Sequence, residues 1–460
     1  MSLFSSLKLS KKMLQNLENL NYKTMTSIQE KSLPIMLKGC DILAQAKTGS
    51  GKTAAFGISL LHNLDVNQYR VQALILCPTR ELAEQVAGEI RRIARFQHNI
   101  KLLKLTGGLP MYKQEHSLKH QAHVIVGTPG RVLKFLEKGS LVLDNISTIV
   151  LDEADRMLDM GFIDQIMDIF KFAPKKRQTL CFSATFPDEI KKISKSVQNK
   201  PQEVIVETQH DSSVISQHFF KVSKDEKCNV VLSLIAKYKP DSIIIFCNTK
   251  EVCRKLGVEL TKAGLHNLAL HGDLEQKDRT EVLIRFSNGS CRVLIATDVA
   301  ARGLDIEDLG AVVNYDLPFE TETYIHRIGR TGRAGKEGLS FSLMVPGEEF
   351  RIDKINQLMK TNHSVKKING EYLKSNNLDI EPIMVTLSIN GGRKNKISAG
   401  DILGALTSED GIKSSDVGKI DRLDYLTFVA VKRNSAKKAF KILASRSIKG
   451  RRFRAIVNDE

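Results

Sequence analysis

The run Ala44-Gln45-Ala46-Lys47-Thr48-Gly49-Ser50-Gly51-Lys52-Thr53 constrains the fold more than any other stretch. It follows a short apolar strand signal, Asp41-Ile42-Leu43, and opens a helix-like segment from Ala54 to Leu64. From Ala46 it has the phosphate-loop spacing, four free positions and then Gly-Lys-Thr, with Ala where the first Gly is usual. Gly49 and Gly51, flanking Ser50 and following Thr48, let backbone N–H groups curl around a polyphosphate. The helix N-terminus adds partial positive charge. Lys52 is placed to reach the β- and γ-phosphates, and the Thr53 hydroxyl to ligate Mg²⁺. The competing reading is a Gly-rich turn that happens to carry a lysine. A strand directly before and a helix directly after weigh against it.

A nucleotide site of this kind needs a second group for Mg²⁺ on a neighbouring strand. The apolar run Ser147-Thr148-Ile149-Val150-Leu151 ends in Asp152-Glu153-Ala154-Asp155. Carboxylates at the C-terminal end of a buried strand lie where α/β sheets bind ligands. Asp152 can hold Mg²⁺, and Glu153 can orient and deprotonate an attacking water. An acidic loop start is the alternative, but it does not explain the phosphate loop upstream. The two stretches together imply ATP hydrolysis.

Composition limits what that hydrolysis can drive. The formal net charge of +17 points to a polyanionic partner, nucleic acid before a membrane surface. A length of 460 residues suggests about three domains. The seven cysteines form no CxxC pair, and Cys77, Cys181 and Cys247 lie in apolar runs, as buried thiols do in a reducing cytosol. The N-terminus lacks the apolar core of a signal peptide, and no apolar run approaches the ~20 residues of a membrane span.

Along the chain, residues 1–38 read as amphipathic helix. Within them, Gln29 can read an adenine edge and Phe4 can stack on the base, or Ser27 simply caps a helix. From 42 to 207, apolar runs at 73–77, 124–126, 149–151, 179–182 and 203–206 alternate with helical stretches, the pattern of a parallel sheet covered on both faces. Their polar ends, Pro78 to Ala83, Thr128 to Arg131, Asp152 to Asp155 and Ser183 to Thr185, project from one sheet edge. After a polar break at Thr208 to Ser213 the rhythm restarts through 243–247, 267–270, 293–295 and 312–313, closing at Leu339 to Val345. This second sheet has no phosphate loop. It carries His326-Arg327-Ile328-Gly329-Arg330-Thr331-Gly332-Arg333, which reads either as a solvated basic face or as arginine fingers that reach a phosphate across a cleft. Two similar lobes with one ATP site form a hinge machine in which closure completes catalysis.

Beyond a polar linker, residues 384–460 read as strand, helix, strand, strand, helix, strand, the RNA-recognition-motif order. They hold sixteen Lys/Arg against eight Asp/Glu, nearly half of the chain's basic excess. The densest cluster is Lys449-Gly450-Arg451-Arg452-Phe453-Arg454. Phe428 occupies a stacking position of the RNP1-like strand, but its companions are aliphatic, so RNA is not expected to lie across this sheet in the ordinary way. A basic module that docks protein is the alternative.

These motifs, in this order, resemble the DEAD-box RNA helicases over roughly residues 1–360. The resemblance implies two tandem RecA-like parallel-sheet domains, at 1–207 and 217–360, with a linker at 208–216. A second linker at 361–382 then leads to an RRM-like βαββαβ domain at 383–460, and the fold class is α/β. It implies adenine recognition by Gln29 with Phe4 and Tyr22, although Asn21, Met25 and Ser27 replace a usual Gly and two prolines. It assigns Ser183 and Thr185 to coupling, Asp305 to the ribose, and Arg330 and Arg333 to the γ-phosphate. RNA-backbone contacts are implied for Arg80, Gly107, Gly108, Thr128 and Arg131 on lobe one, and for Thr249, Gln276, Arg279 and Thr297 on lobe two. The basic tail resembles the DbpA/YxiN subfamily, with Lys449, Arg451, Arg452 and Arg454 as its RNA-contact candidates. That layout implies a cytoplasmic monomer using ATP and Mg²⁺, with no membrane partner, on a 23S rRNA hairpin in pre-50S particles. An ATP-gated RNA clamp and a DNA helicase are the competing functions. Intact Glu153 and Arg330 count against the first, and the RRM-like tail against the second.

Overall fold

The structure is a computed structural model that describes residues 2–46, 49–206, 215–301, 308–332, 337–368 and 381–458. The first sheet contains β1 (Ile42–Gln45), β2 (Ala73–Leu76), β3 (Leu102–Leu105), β4 (Val124–Gly127), β5 (Thr148–Leu151), β6 (Gln178–Ser183) and β7 (Gln202–Ile205). Its spatial order is β3-β4-β2-β5-β6-β1-β7, and all its pairings are parallel. The apolar runs are continuous because alternate residues enter two different cores. Ile42, Ile75, Val126 and Val150 pack on one face with Phe56 and Ile90, while Leu43, Leu74, Ile125 and Ile149 pack on the other with Phe135 and Ile169.

The second sheet contains β8 (Ile215–Lys221), β9 (Ile243–Cys247), β10 (Leu268–Leu270), β11 (Val293–Thr297), β12 (Ala311–Asn314), β13 (Gly338–Met344) and β14 (Val365–Lys367). Its order, β10-β11-β9-β12-β13-β8-β14, repeats that of the first sheet strand for strand, again all parallel. The third sheet contains β15 (Met384–Ile389), β16 (Val417–Arg422), β17 (Thr427–Lys432) and β18 (Ala455–Asn458) in the antiparallel order β16-β17-β15-β18. The helices Ala399–Thr407 and Arg433–Ser445 cover one face of it, with Val385, Leu387, Val429, Ile402 and Leu443 in the core between. The expected two parallel sheets and βαββαβ tail are therefore present.

Three strands lie outside the apolar runs read from the sequence. In β3 the run is broken by Lys104, and β3 is an edge strand whose burial is partial. β14 is three exposed residues at the opposite kind of edge, inside the stretch expected as linker. β8 opens at Ile215 with a largely polar start, and Phe219 and Phe220 supply its buried part. β3 and β14 are edge strands, which can dispense with a continuous apolar pattern, whereas β8 lies between β13 and the short β14. Cys77, Cys181 and Cys247 are buried free thiols. Among the described residues no helix is long and apolar enough to cross a membrane. The described residues form two compact units, one of 2–206 and one of the second and third sheets together.

Candidate active site and nucleic-acid interface

In the first lobe β1 leads into the phosphate loop, and the helix Lys52–His62 follows at once. Gly49 (φ +78°) and Gly51 (φ +91°) are left-handed, with Ser50 between them, which is why the loop needs glycine there. A Cβ on Gly51 would also fall 2.5 Å from Nε2 of Gln29. Gln29 is buried, and its amide is used twice. Its Oε1 accepts from the Thr26 N–H (2.9 Å), and its Nε2 donates to the Gly51 carbonyl (3.1 Å). A helix cap thus also holds the phosphate loop, so the cap and the motif are one device. Lys52 is buried and donates to the Ala46 carbonyl at 3.0 Å, while Thr53 sits half-buried in the first helical turn. Phe4 is buried edge-to-face against Tyr22, whose hydroxyl hydrogen-bonds Glu89.

Asp152 and Glu153 leave the C-terminal end of β5, and both are buried. Burial pushes the Asp152 carboxyl up to about 6, against the pull of the Lys52 charge and with a further push from Glu153. Its Oδ1 is buried with no hydrogen-bond partner. An orphaned carboxylate oxygen beside a phosphate loop fits a cation ligand, and Thr53 supplies the hydroxyl such a site requires. Glu153 is left-handed (φ +54°) at the start of the helix Ala154–Asp159, and its Oε2 lies 3.3 Å from Nε of Arg156.

Asp155 explains the link to Ser183 and Thr185. Its Oδ2 accepts from the Ala184 N–H (3.1 Å), the Thr185 N–H (3.0 Å) and the Thr185 hydroxyl (3.1 Å). Its own N–H donates to Ser183 Oγ (3.2 Å), which donates to the Thr185 carbonyl (2.7 Å). The end of β6 is thereby fastened to the helix that starts at Glu153. The contact is long-range in sequence, and nothing in the local pattern signals it.

The candidate RNA residues cluster at the ends of other strands. Arg80 opens the helix Arg80–Ile93 after β2 and lies over Gly107, where a Cβ would meet Nη2 at 2.6 Å. Gly108 is left-handed (φ +81°). Thr128 precedes the helix Pro129–Glu137 after β4, and Arg131 donates to the Leu109 carbonyl at 3.2 Å. Burial and the nearby Arg80 charge lower the Arg131 pKa, the signature of two guanidinium groups converging. In the second lobe Thr249 caps the helix Lys250–Lys262 after β9, and Thr297 ends β11 next to it. Gln276 opens the helix Gln276–Ser287, and Arg279 donates to the Ala300 carbonyl at 3.3 Å.

Arg330 is buried just past the helix Thr321–Ile328. The sequence reading had not singled out Arg327, one turn earlier. Its guanidinium bonds both oxygens of Asp298 (2.7 and 2.6 Å), the Asp316 carbonyl (2.6 Å) and Oδ1 of Asn248 (2.9 Å). It ties three strand ends together, and four residues of basic sequence do not reveal which arginine turns inward. Thr48, Asp305 and Arg333 lie outside the described residues. In the tail Lys449 pairs with Asp401 (2.9 Å), whereas Arg451, Arg452 and Arg454 are exposed just before and at the entry to β18.

A phosphate loop after β1, an Asp-Glu pair on the same sheet edge after β5, with β6 between them rather than on the adjacent strand as expected, and a repeated sheet are the parts of a nucleotide-hydrolysing enzyme built from two lobes. The DEAD/DEAH box helicase family matches residues 26–193, the helicase conserved C-terminal domain 226–335, and the DbpA RNA binding domain 386–456. The chain is 48% identical over 457 residues to the ATP-dependent RNA helicase DbpA of Escherichia coli K12, covering 99% of both chains. It is 38% identical over 474 residues to the DbpA of Bacillus subtilis 168, again covering 99% of each. Among solved structures, Saccharomyces cerevisiae Dbp5 bound to RNA and ADP BeF3 matches with a TM-score of 0.73 at 31% identity, over 83% of this chain and all of that one. Mss116p bound to single-stranded RNA and AMP-PNP matches at 0.72 and 29%, over 82% and 81%. The chain belongs to the DEAD-box ATP-dependent RNA helicases, in the group named DbpA.

Proposed function

We propose that this RNA helicase opens short duplexes of ribosomal RNA while its tail holds a hairpin of 23S rRNA, during assembly of the large (50S) ribosomal subunit in the cytoplasm. The observation that carries the reading is the tail. A basic βαββαβ module that matches the DbpA RNA binding domain leaves Arg451, Arg452 and Arg454 open to solvent. Phosphate attraction alone would bind any RNA, so recognition of a loop also requires contacts to its bases.

In this reading ATP is the substrate, and the first lobe holds it. Backbone N–H groups of Gly49, Ser50 and Gly51 and the ammonium of Lys52 bind the polyphosphate. Thr53 and Asp152 would hold Mg²⁺, which when bound would neutralise phosphate charge. Glu153 takes the proton of the attacking water and is fixed for that task by Arg156 and by its place at a strand end. Ser183 and Thr185 report on the site through Asp155. Arg330 steadies the charge that develops on the transferred phosphate, a role that requires the two lobes to close. Arg80, Gly107, Gly108, Thr128 and Arg131, with Thr249, Gln276, Arg279 and Thr297, hold the RNA backbone. The enzyme acts as a monomer.

The test compares ATP turnover by the full-length protein with the 23S hairpin fragment and with a scrambled hairpin of equal length, at near-physiological salt. The cognate hairpin should activate at a lower concentration. Equal activation by both would reduce the tail to a general basic tether, and the 23S assignment would fall.

A further inference from the structure

The aromatic residues of the tail are Tyr425, Phe428, Phe440 and Phe453. Phe428 sits at the sheet position where RNA-recognition motifs stack a base, yet it is 1% accessible. Phe440 and Phe453 pack against the tail's core. Tyr425 is 66% accessible. The aromatic face open to a base therefore lies at the tip of a hairpin and not on the sheet.

That hairpin joins β16 to β17. The Leu423 N–H donates to the Leu426 carbonyl at 2.8 Å, so Asp424 and Tyr425 form the turn. Short hairpin turns favour glycine after Asp. A tyrosine here serves neither the turn nor a core. The tip is nonetheless held from outside. The Arg393 N–H donates to the Leu423 carbonyl and the Lys394 N–H to the Asp424 carbonyl, both at 2.9 Å. Gly392 permits this approach, because a Cβ there would collide with the Leu423 oxygen. Arg422 donates to the Ile397 carbonyl at 3.1 Å, and the Thr427 hydroxyl to the Gly391 carbonyl at 2.7 Å. The tip and the loop 390–397 are thus one fastened unit.

The loop also brings charge. Arg393, Lys394 and Lys396 are exposed on it. It is tied in turn to the basic segment before β18. The Asn390 N–H donates to the Arg454 carbonyl at 3.1 Å, and the Arg454 N–H to Asn390 Oδ1 at 2.7 Å. Lys449 donates to the Lys396 carbonyl at 3.0 Å, and the Phe453 ring fills the space over Gly391. One end of the tail domain therefore carries exposed cations from two segments and an exposed ring from a third. Asp424 is the one carboxylate in these three segments.

We propose that Tyr425 is a stacking shelf for one unpaired base of the RNA that the tail holds, with the cations of the loop 390–397 and of the segment 449–454 on the phosphates beside it. Stacking needs a base with a free face, which a hairpin loop offers and a duplex withholds. Cations alone attract RNA of any shape. The shelf selects unpaired RNA without choosing among bases, since every base has a π-face. A tip already fastened in place loses little freedom on binding. The inference rests on the RNA role proposed for the tail above.

The chain contains no Trp, so Tyr425→Trp places a single indole in the full-length protein. Its fluorescence should be quenched by a saturating 23S hairpin fragment and not by a fully paired RNA of equal length. Tyr425→Ala should weaken hairpin binding about tenfold, whereas Tyr425→Phe, which keeps the ring, should bind within about twofold of the native protein. The slope of log K against log salt should be unchanged in Tyr425→Ala, because stacking releases no counterion, and should drop by about one in Arg393→Ala. The proposal is overturned if the indole responds equally to hairpin and duplex, or to neither. It is equally overturned if Tyr425→Ala binds as the native protein does, or if Tyr425→Phe loses as much as Tyr425→Ala, which would mark a hydroxyl contact. Should the native protein bind a scrambled hairpin as well as the 23S fragment, the 23S assignment falls alone, and quenching by both looped RNAs still supports the shelf.

Discussion

In the first lobe the helix after the leading strand begins at Lys52, and in the second the corresponding helix begins at Lys227. The strand that bears Asp152 in the first lobe corresponds to β12 in the second, which runs into Asp316. The second lobe therefore has a lysine and an aspartate at the two places proposed to serve nucleotide in the first. There they serve each other. Nζ of Lys227 bonds Oδ1 of Asp316 (2.9 Å) and the Tyr315 carbonyl (2.6 Å) and lies over the Tyr315 ring. No glycine curls the chain between Val222 and Lys227, so there is no cradle to fill. In the first lobe Lys52 meets a backbone carbonyl, and Asp152 keeps an unpartnered oxygen. The same topology gives a reactive edge when the ion pair is left open for a ligand, and a structural clamp when it is closed.

The repetition also sorts the edge of each sheet. The candidate nucleotide and coupling residues of the first lobe follow β1, β5 and β6. The candidate RNA residues follow β2, β3 and β4, and in the second lobe they follow the corresponding β9, β10 and β11. The candidate RNA half of the edge is shared by both lobes, whereas the phosphate loop and acidic pair belong to the first, and the second adds to the nucleotide half only the candidate finger Arg330.

The largest expected effect sets the nucleotide half of lobe one against everything else. Glu153→Gln should lower turnover by about 10³-fold with ATP and RNA binding retained, because the carboxylate acts on water. Arg330→Ala should lower it by ~10³-fold or more with little change in ATP affinity. Single-turnover hydrolysis and nucleotide titration separate the two quantities. Wild-type hydrolysis by Glu153→Gln would mean that the base is another residue.

Breaking the clamp in lobe two should be felt as stability. Lys227→Met leaves Asp316 in a largely buried site without its cation, which costs about 3 kcal/mol. Urea unfolding should show the second unit melting earlier, while the first unit binds an ATP analogue as before. If ATP affinity fell instead, the two lysines would not have parted roles.

How much of this could be read in advance follows the same division. The parallel sheets were legible because strands buried on both faces are apolar throughout, as in Ile243 to Cys247. The phosphate loop and Asp152-Glu153 were legible because their chemistry demands fixed residue types at fixed spacing. The tail's strand order was legible too, since β15 matches its apolar run end to end. What escaped depends on distant contacts. Arg327 turned inward cannot be told from Arg330 by spacing, and the Asp155 to Thr185 bonds join residues thirty positions apart. The edge strands β3 and β14 bury too little to leave a pattern. Phe428 was read as a lone stacking residue because nothing local records that its ring is buried.

A smaller effect sharpens the contrast by pH. The Asp152 carboxyl, raised by burial to about 6, is more easily protonated folded than unfolded. Its contribution therefore favours folding at low pH, and that contribution is lost as pH rises from about 4 through 6. Cation binding needs the ionised form, so activity runs the other way. The kcat/KM for ATP should fall about tenfold per unit below pH 6. A profile flat to pH 5 would show that Asp152 is already ionised in the free enzyme.

The smallest effect compares two helix caps that occupy the same place in the two lobes. Thr79 follows β2 and accepts from the Leu82 N–H at 3.2 Å, and Thr249 follows β9 and accepts from the Val252 N–H at 3.2 Å. Their cap bonds have the same length, although Thr79 is buried and Thr249 exposed, so Thr79→Ala and Thr249→Ala should each cost about 1 kcal/mol, and serine at either position should restore most of it. Their proposed roles in RNA binding are unequal. In the first lobe the candidate contact is Arg80, the next residue, whose guanidinium is steadied over Gly107 as well as by the helix. In the second lobe the candidate is Thr249 itself. Thr249→Ala should therefore raise the RNA concentration for half-maximal ATPase by more than Thr79→Ala does, at equal loss of stability. RNA titrations of the two variants, each beside its serine counterpart, measure the difference. If the two alanine variants moved together, Thr249 would be a cap alone, and the RNA half of the second lobe's edge would rest on Gln276, Arg279 and Thr297.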